Sequence, residues 1–204
     1  MKVIAFNGSP RKNGNTSIMI HEVFKELNQA GIETEEINIG IKSYKGCTFC
    51  KKCHDNIHGH CVINDGLNDC FEKLKEADGI ILGSPVYCAE LSGQMKCFID
   101  RIVTLVFVNG GILTRKVGAS VVALRRAGAL PAFHAMNSFF SVVQMITVGS
   151  GYWNLGFGLN EGEVREDEEG IKTMVNLGKN MAWILKSIDG SKEKVKEPDT
   201  MRTH

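Results

Sequence analysis

The chain has no surplus of either charge, with 24 Lys and Arg against 23 Asp and Glu. A balance this even gives nothing to draw it toward nucleic acid or an anionic bilayer. Long apolar runs are missing too. The opening stretch from Lys2 to Phe6 is too short for a membrane span or a cleavable leader, and Asn7 follows it. The expectation is a cytoplasmic protein with neither nucleic-acid nor membrane partners. Repeats and low-complexity tracts are absent, and no Ser/His/Asp triad or carboxylate pair suggests itself. Chemistry in such a chain would be carried by a cofactor. Cysteine, by contrast, is plentiful, at seven residues. In a cytoplasmic chain long enough to bury about 70% of its unfolded surface, these read as thiols or ligands rather than as disulfides.

The stretch that organises the rest is the first turn, Lys2-Val-Ile-Ala-Phe6-Asn-Gly-Ser-Pro10-Arg-Lys-Asn-Gly14-Asn-Thr16-Ser17. It reads as a buried strand, a polar loop with two glycines, and an amphipathic helix from Thr16 to about Ala30. A helix N-terminus has unpaired N–H groups and roughly half a positive charge, so a phosphate settles there readily. A P-loop would need Lys-Ser or Lys-Thr after the second glycine, and Asn15-Thr16 stands there instead. A dinucleotide fingerprint would need Gly-x-Gly-x-x-Gly, whereas Gly8 is followed by Ser9 and Pro10. The remaining fit is the single terminal phosphate of a mononucleotide.

Further along, Gly31 is a plausible helix cap, and Glu33 to Ile39 reads as a second strand. Apolar periodicity then lapses from Gly40 to about Asp65, and a structureless stretch of that length usually has its own function. A helix over Leu67–Ala77 leads to a third strand, Gly79–Leu82, which ends in the polar turn Gly83-Ser-Pro-Val-Tyr87-Cys88. Ser92 caps the next helix, with Met95, Phe98, Ile99 and Ile102 on its buried stripe. A fourth strand, Val117–Leu124, runs into Arg125-Arg-Ala-Gly128, and Pro131 opens a helix reaching about Met145. A short fifth strand is expected near Ile146–Val148, an acidic connector over Glu163–Gly170 and a closing helix over Ile171–Ile188. Alternation of strand and helix predicts a parallel sheet, with ligands bound beyond the strands' carboxyl ends.

Taken together, Gly8-Ser-Pro-Arg-Lys-Asn-Gly-Asn-Thr16, Gly83-Ser-Pro-Val-Tyr87, Ser92-Gly-Gln-Met-Lys96 with Asp100-Arg101, and Arg125–Gly128 resemble the NADPH-dependent FMN reductase family of flavodoxin-like proteins. The resemblance implies an α/β fold, a doubly wound five-stranded parallel sheet of order 2-1-3-4-5 over residues 1–188. The sequence itself sets off a cysteine-rich loop at 41–65 after strand 2 and a polar tail at 189–204. Ser9, Arg11, Asn15, Thr16 and Ser17 would hold the FMN phosphate. Pro85, Val86, Tyr87 and Cys88 would line the isoalloxazine, with Arg126, Ala127 and Gly128 at its other edge.

The second signal is Cys47-x2-Cys50-x2-Cys53-x7-Cys61. Two-residue spacers let successive thiolates take neighbouring corners of one cluster, and the longer spacer lets the chain turn back to deliver the fourth. The run resembles the compact motif of the iron–sulfur flavoproteins, a branch of the same family with a [4Fe–4S] cluster. Zinc is the rival, because His54, His58 and His60 lie among the thiols. Free thiols on a cluster-free FMN reductase are the third possibility. Cys70 and Cys97 read as packed within helices, and Cys88 as more a space-filling thiol than a reactive one.

The function expected is electron transfer between a reduced carrier, ferredoxin or NAD(P)H, and a small-molecule acceptor, in a homodimer or homotetramer. The alternatives are a cluster-free NADPH-dependent FMN, quinone or nitro reductase and a redox- or zinc-responsive flavin-binding protein.

Overall fold

In the computed structural model, which describes residues 1–55, 59–196 and 198, β1 (Lys2–Asn7) lies inside a parallel sheet. Its side chains alternate between two cores. Ile4 and Phe6 join one apolar cluster and Val3 and Ala5 the other, which is why the run needs no polar face. The neighbouring strands repeat this: in β3 (Gly79–Pro85) Ile80 and Leu82 face one way and Ile81 the other, and β4 (Val117–Leu124) divides similarly. One core is covered by α3 (Leu67–Glu76), α4 (Gly93–Val108) and α5 (Ala129–Val142). The other is covered by α1 (Asn15–Gln29) and α6 (Glu168–Ser191). Phe6 and Phe98 meet with ring centroids 4.9 Å apart, and burying one such ring contributes about 1.5–3 kcal/mol.

The strand order is β2-β1-β3-β4-β5, with β2 at Glu33–Asn38, as the resemblance implied. The last strand departs from expectation. It is divided into β5 (Ile146–Thr147), paired with Val117 and Gly118, and β6 (Leu155–Phe157), paired with Val122 to Leu124. The intervening glycine-bearing segment leaves the ladder and rejoins it through Val122 N–H donating to Asn154 O at 3.0 Å. Among the described residues the sheet thus counts six strands in five positions, because β5 and β6 share the place beside β4.

Helix boundaries follow their caps. Ser92 Oγ accepts from Met95 N–H at 3.3 Å, and Pro131 sits in the first turn of α5, where it forfeits no helical bond. Asp167 caps α6 by accepting from Gly170 N–H at 2.9 Å. With Glu168 and Glu169 in the first turn, α6 begins before Ile171 and takes in part of the acidic connector, because acids favour a helix N-terminus. The rest of the connector is one turn of 3₁₀ helix, Glu163–Glu166. At the other end α6 runs through Ser191, past the point at which the polar tail was expected to start. The loop after β2 holds one short helix, α2 (Lys52–Asp55); His58, within the expected loop, and Glu197 and residues 199–204 of the tail lie outside the described residues. No described helix is long and apolar enough to cross a membrane.

Candidate functional site

The loop between β1 and α1 is held in shape from below and from both sides. Asn7, wholly buried, accepts the Ser9 N–H on Oδ1 at 2.8 Å, and Ser9 Oγ accepts the Arg11 N–H at 3.2 Å. Gly8 N–H donates to Gly83 O at 2.7 Å, while Ser92 Oγ donates to Gly8 O at 2.8 Å. Gly40, just past β2, presses so closely that a Cβ there would lie 2.2 Å from the Ser9 carbonyl. At the end of this loop Gly14 caps α1 with no side chain, and the first turn contains no acid. Its first N–H groups thus have no side-chain acceptor, the arrangement an anion needs.

A carboxylate stands behind the loop. Glu36 of β2 accepts from Asn7 Nδ2 at 2.7 Å, Ser17 Oγ at 2.9 Å and His21 Nε2 at 2.8 Å. Burial alone would raise the Glu36 pKa, but the bonds from His21, Asn7 and Ser17 outweigh it and hold the carboxyl below the usual carboxylate range. The same bond raises His21 against the opposing effect of its burial.

Above the sheet's carboxyl edge, four segments enclose a cleft of about 500 Å³, counted to its open mouth. Ser9, Arg11, Asn15 and Thr16 form one wall, and Pro85, Val86 and Tyr87 another. Ala123, Leu124 and Arg125 follow from β4, and Gly158 and Leu159 from β6. Seven expected site residues are therefore brought together.

The remaining five are arranged otherwise. Ser17 turns its hydroxyl to Glu36. Cys88 is exposed on the small hairpin between Tyr87 and Glu90, with a left-handed backbone at φ 48°. Arg126 and Ala127 are exposed in the next loop, and Gly128, at φ 87°, lets that loop meet the hairpin: a Cβ would stand 2.7 Å from Ala89 Cα. Asn15, although on the wall, spends its carboxamide on the chain after β6. Its Nδ2 donates to Asn160 O at 2.9 Å, and its Oδ1 accepts from Gly162 N–H at 3.0 Å. Arg11 Nη1 likewise donates to Leu159 O at 2.8 Å.

The cysteine loop builds a second cavity. Cys47, Cys50, Cys53 and Cys61 all lie on its wall, opposite Arg101, Thr104 and Leu105 of α4. Phe49 and Lys51, on either side of Cys50, both have left-handed backbones, at φ 50° and 59°. Burial raises the Cys53 thiol, and Cys61, Cys50 and Cys47 push it the same way. The Cys50 thiol is lowered by backbone N–H donation at Lys52 and by the Thr48 side chain. Among the described residues no three His, Cys, Asp or Glu side chains are drawn close enough to grip an ion. His54 is on the wall, whereas His60 bonds Glu72 at 2.6 Å.

Arg101 is 2% exposed. Its Nη1 donates to Asp65 Oδ2 at 2.6 Å and to Lys45 O at 3.3 Å, and its Nη2 donates to Ile63 O at 3.1 Å. It lies nine residues beyond Ser92, about 13.5 Å along α4 at the usual helical rise. One end of this helix thus meets the phosphate-type loop and its middle meets the cysteines.

Sequence reasoning left Glu36, Arg101, Gly40 and Leu159 without roles. Arg101 was detectable, since it falls three residues after Phe98 and four before Leu105, on the apolar stripe of α4. Glu36 was not, because one acid among Glu33, Glu35 and Glu36 has no local mark.

The profile of the NADPH-dependent FMN reductase family matches residues 1–160. An iron–sulfur flavoprotein of Methanocaldococcus jannaschii is 38% identical over 195 residues, covering 92% of this chain and 99% of its own. Another iron–sulfur flavoprotein, from Methanosarcina thermophila, is 32% identical and covers 95% and 100% respectively. Among solved structures, RosB with a bound flavin-type intermediate superposes with a TM-score of 0.70 at 13% identity, covering all of this chain and 91% of its own. An archaeal flavodoxin gives 0.59 at 19% identity, with 91% and 99% covered. These two likenesses concern the fold. The match of the family profile, together with relatives aligned over nearly their full lengths, means that this chain belongs to the NADPH-dependent FMN reductase family of flavin-dependent oxidoreductases.

Proposed function

We propose that the protein is an iron–sulfur flavoprotein that passes electrons between a reduced carrier, ferredoxin or NAD(P)H, and a small acceptor. FMN would occupy the cleft at the sheet edge, and a [4Fe–4S] cluster would be held by Cys47, Cys50, Cys53 and Cys61. The observation that carries this reading is that all four cysteines of one loop line a single cavity closed by a buried cation. The soft donor set favours iron and sulfide over harder ions. When bound, FMN exchanges electrons in pairs or singly and the cluster exchanges them one at a time, so together they join two-electron to one-electron donors.

The chain's own residues would do the holding. Ser9 and Thr16 supply hydroxyls to the FMN phosphate, and the N–H groups at the start of α1 supply the field; Asn15 and Ser17 act there through their backbone, since their side chains are engaged elsewhere. Arg11 adds charge and ties Leu159 over the cleft. Pro85, Val86, Tyr87 and Cys88 would flank the ring, with Arg126, Ala127 and Gly128 at the far edge. The Val86 and Tyr87 amides are taken by Ala123 O and Glu90 O. Those of Cys88 and Ala89 have no protein acceptor among the described residues, and would be the donors to the ring's polar edge.

The cysteine loop follows β2 at one edge of the sheet, whereas the cleft opens toward β3 and β4, which favours a homodimer or homotetramer where one subunit's cysteine loop faces another's FMN. Seven free thiols favour a cytoplasmic location. The test is iron, acid-labile sulfide, zinc and flavin content of protein purified without oxygen, beside Cys50→Ala. The expected result is about four irons and one FMN per chain, falling to FMN alone in the variant. FMN without iron would overturn the reading in favour of a plain NADPH-dependent reductase, and zinc in place of iron would favour a metal-responsive flavin-binding protein.

A further inference from the structure

We propose that Arg101 is the positioning residue of the cysteine cavity: its guanidinium closes the loop at both ends and holds one fixed positive charge against the bound cluster, raising its reduction potential. This rests on reading Cys47, Cys50, Cys53 and Cys61 as cluster ligands.

A buried arginine on the apolar stripe of a helix is costly unless it is paired. The hydrogen bonds it makes all go to the loop. Nη1 reaches Lys45 O, before the first cysteine, and Nη2 reaches Ile63 O, after the last. Asp65 joins the ends by accepting from Arg101 Nη1 at 2.6 Å and from Lys45 N–H at 3.0 Å. The segment carrying all four cysteines is therefore drawn shut on one side chain, and the entropy of closing so long a loop is met before any metal arrives.

The pairing is also incomplete inside the protein. A matched arginine–carboxylate pair forms two parallel bonds. Here only one is made, and Arg101 Nε and Asp65 Oδ1, both buried, have no protein partner. The guanidinium meanwhile shares the cavity wall with Cys61. Arg101 is on that wall and Asp65 is not, so the cavity meets the cationic end of the pair. Adding one electron from a one-electron carrier increases the negative charge on a thiolate-bound cluster, and a nearby buried cation favours that state.

The experiment is an anaerobic redox titration of the purified holoprotein, followed by electron paramagnetic resonance, for wild type, Arg101→Gln, Arg101→Lys and Asp65→Asn. Iron release to a chelator is measured on the same samples. Arg101→Gln is expected to lower the midpoint potential and Asp65→Asn to raise it. Arg101→Lys is expected to stay near wild type in potential but to release iron several-fold faster, because an ammonium cannot span both carbonyls. A merely structural role would move Arg101→Gln and Asp65→Asn in the same direction, or move neither, and either result overturns the proposal. If Arg101→Gln retains no iron, Asp65→Asn decides alone: a higher potential supports the proposal, and an unchanged or lower one overturns it. Iron absent from the wild type would instead overturn the ligand assignment itself, so the two failures are distinguishable.

Discussion

Replacing Glu36 by Gln tests how the phosphate-type loop is braced. The carboxylate accepts three hydrogen bonds, from Asn7, Ser17 and His21. An amide can still accept on one oxygen but must point an N–H at a second donor. Loss of charge assistance costs about 1 kcal/mol for each of the two buried donors, and the mismatched amide adds a similar amount. The His21 bond is discounted, because that side chain is 58% exposed and its pairing is worth a few tenths of a kcal/mol. The expected loss is about 3 kcal/mol, or roughly 6–12 °C in Tm for a domain of this size. The pH profile gives a sharper reading. The Glu36 pKa is lowered on folding, so its contribution is present above the ordinary value of 4.5 and is lost as pH falls through the lower folded value. The His21 pKa is raised, so its contribution is complete below 6.5 and is lost as pH rises through the higher folded value. Wild type should therefore be most stable between about pH 5 and 6.5 and decline on both sides from these two groups. Urea unfolding of FMN-free protein across pH 4–9, for wild type, Glu36→Gln, His21→Gln and the double variant, measures this. A loss under 1 kcal/mol in Glu36→Gln, or a His21→Gln effect unchanged by Glu36→Gln, would refute the reasoning.

Other perturbations act on the same scaffold. Gly40→Ala places a Cβ 2.2 Å from Ser9 carbonyl atoms, so the loop must shift; FMN affinity by fluorescence quenching should fall at least about tenfold and stability by about 2–4 kcal/mol. Asn15→Ala removes the carboxamide that holds the Asn160–Val164 segment, and FMN release in stopped flow should speed up several-fold, while Asn15→Asp, which keeps only the acceptor, should be intermediate. Ser92→Ala deletes both the α4 cap and the bond to Gly8 O; a loss of about 1–2 kcal/mol in chemical unfolding is expected, whereas Ser92→Thr should retain most of it.

The fold was legible in the sequence wherever burial imposed a simple pattern. Strands buried on both faces, such as Ile80-Ile81-Leu82, read as apolar runs, and the stripes of α4 and α6 read with helical spacing. The divided last strand was not legible. Two residues paired at one end of β4 and three at the other are too short to show a period, and the glycines between them signal a loop equally well. The site was legible as motifs, because loops with unusual backbone requirements use a narrow set of residues. Which side chain does what was less so. Asn15 and Ser17 have the right chemistry for an anion, yet partners distant in sequence, Asn160 and Glu36, claim them. Long-range bonds of this kind leave no local trace in composition or spacing.

The path of α4 has a consequence for how this architecture can vary. Ser92 is fastened to the first loop and Arg101 to the cysteine loop, so the interval between the two cavities is set by a rigid helical rod and not by the long irregular segment that carries the thiols. Residues could be added between Cys53 and Cys61, or removed, without changing that interval, as long as Lys45, Ile63 and Asp65 still reach the same side chain. Lengthening the rod by one residue between Ser92 and Arg101 would have the opposite effect: it would leave the four cysteines of the loop in place in the sequence and turn the arginine about 100° away from them.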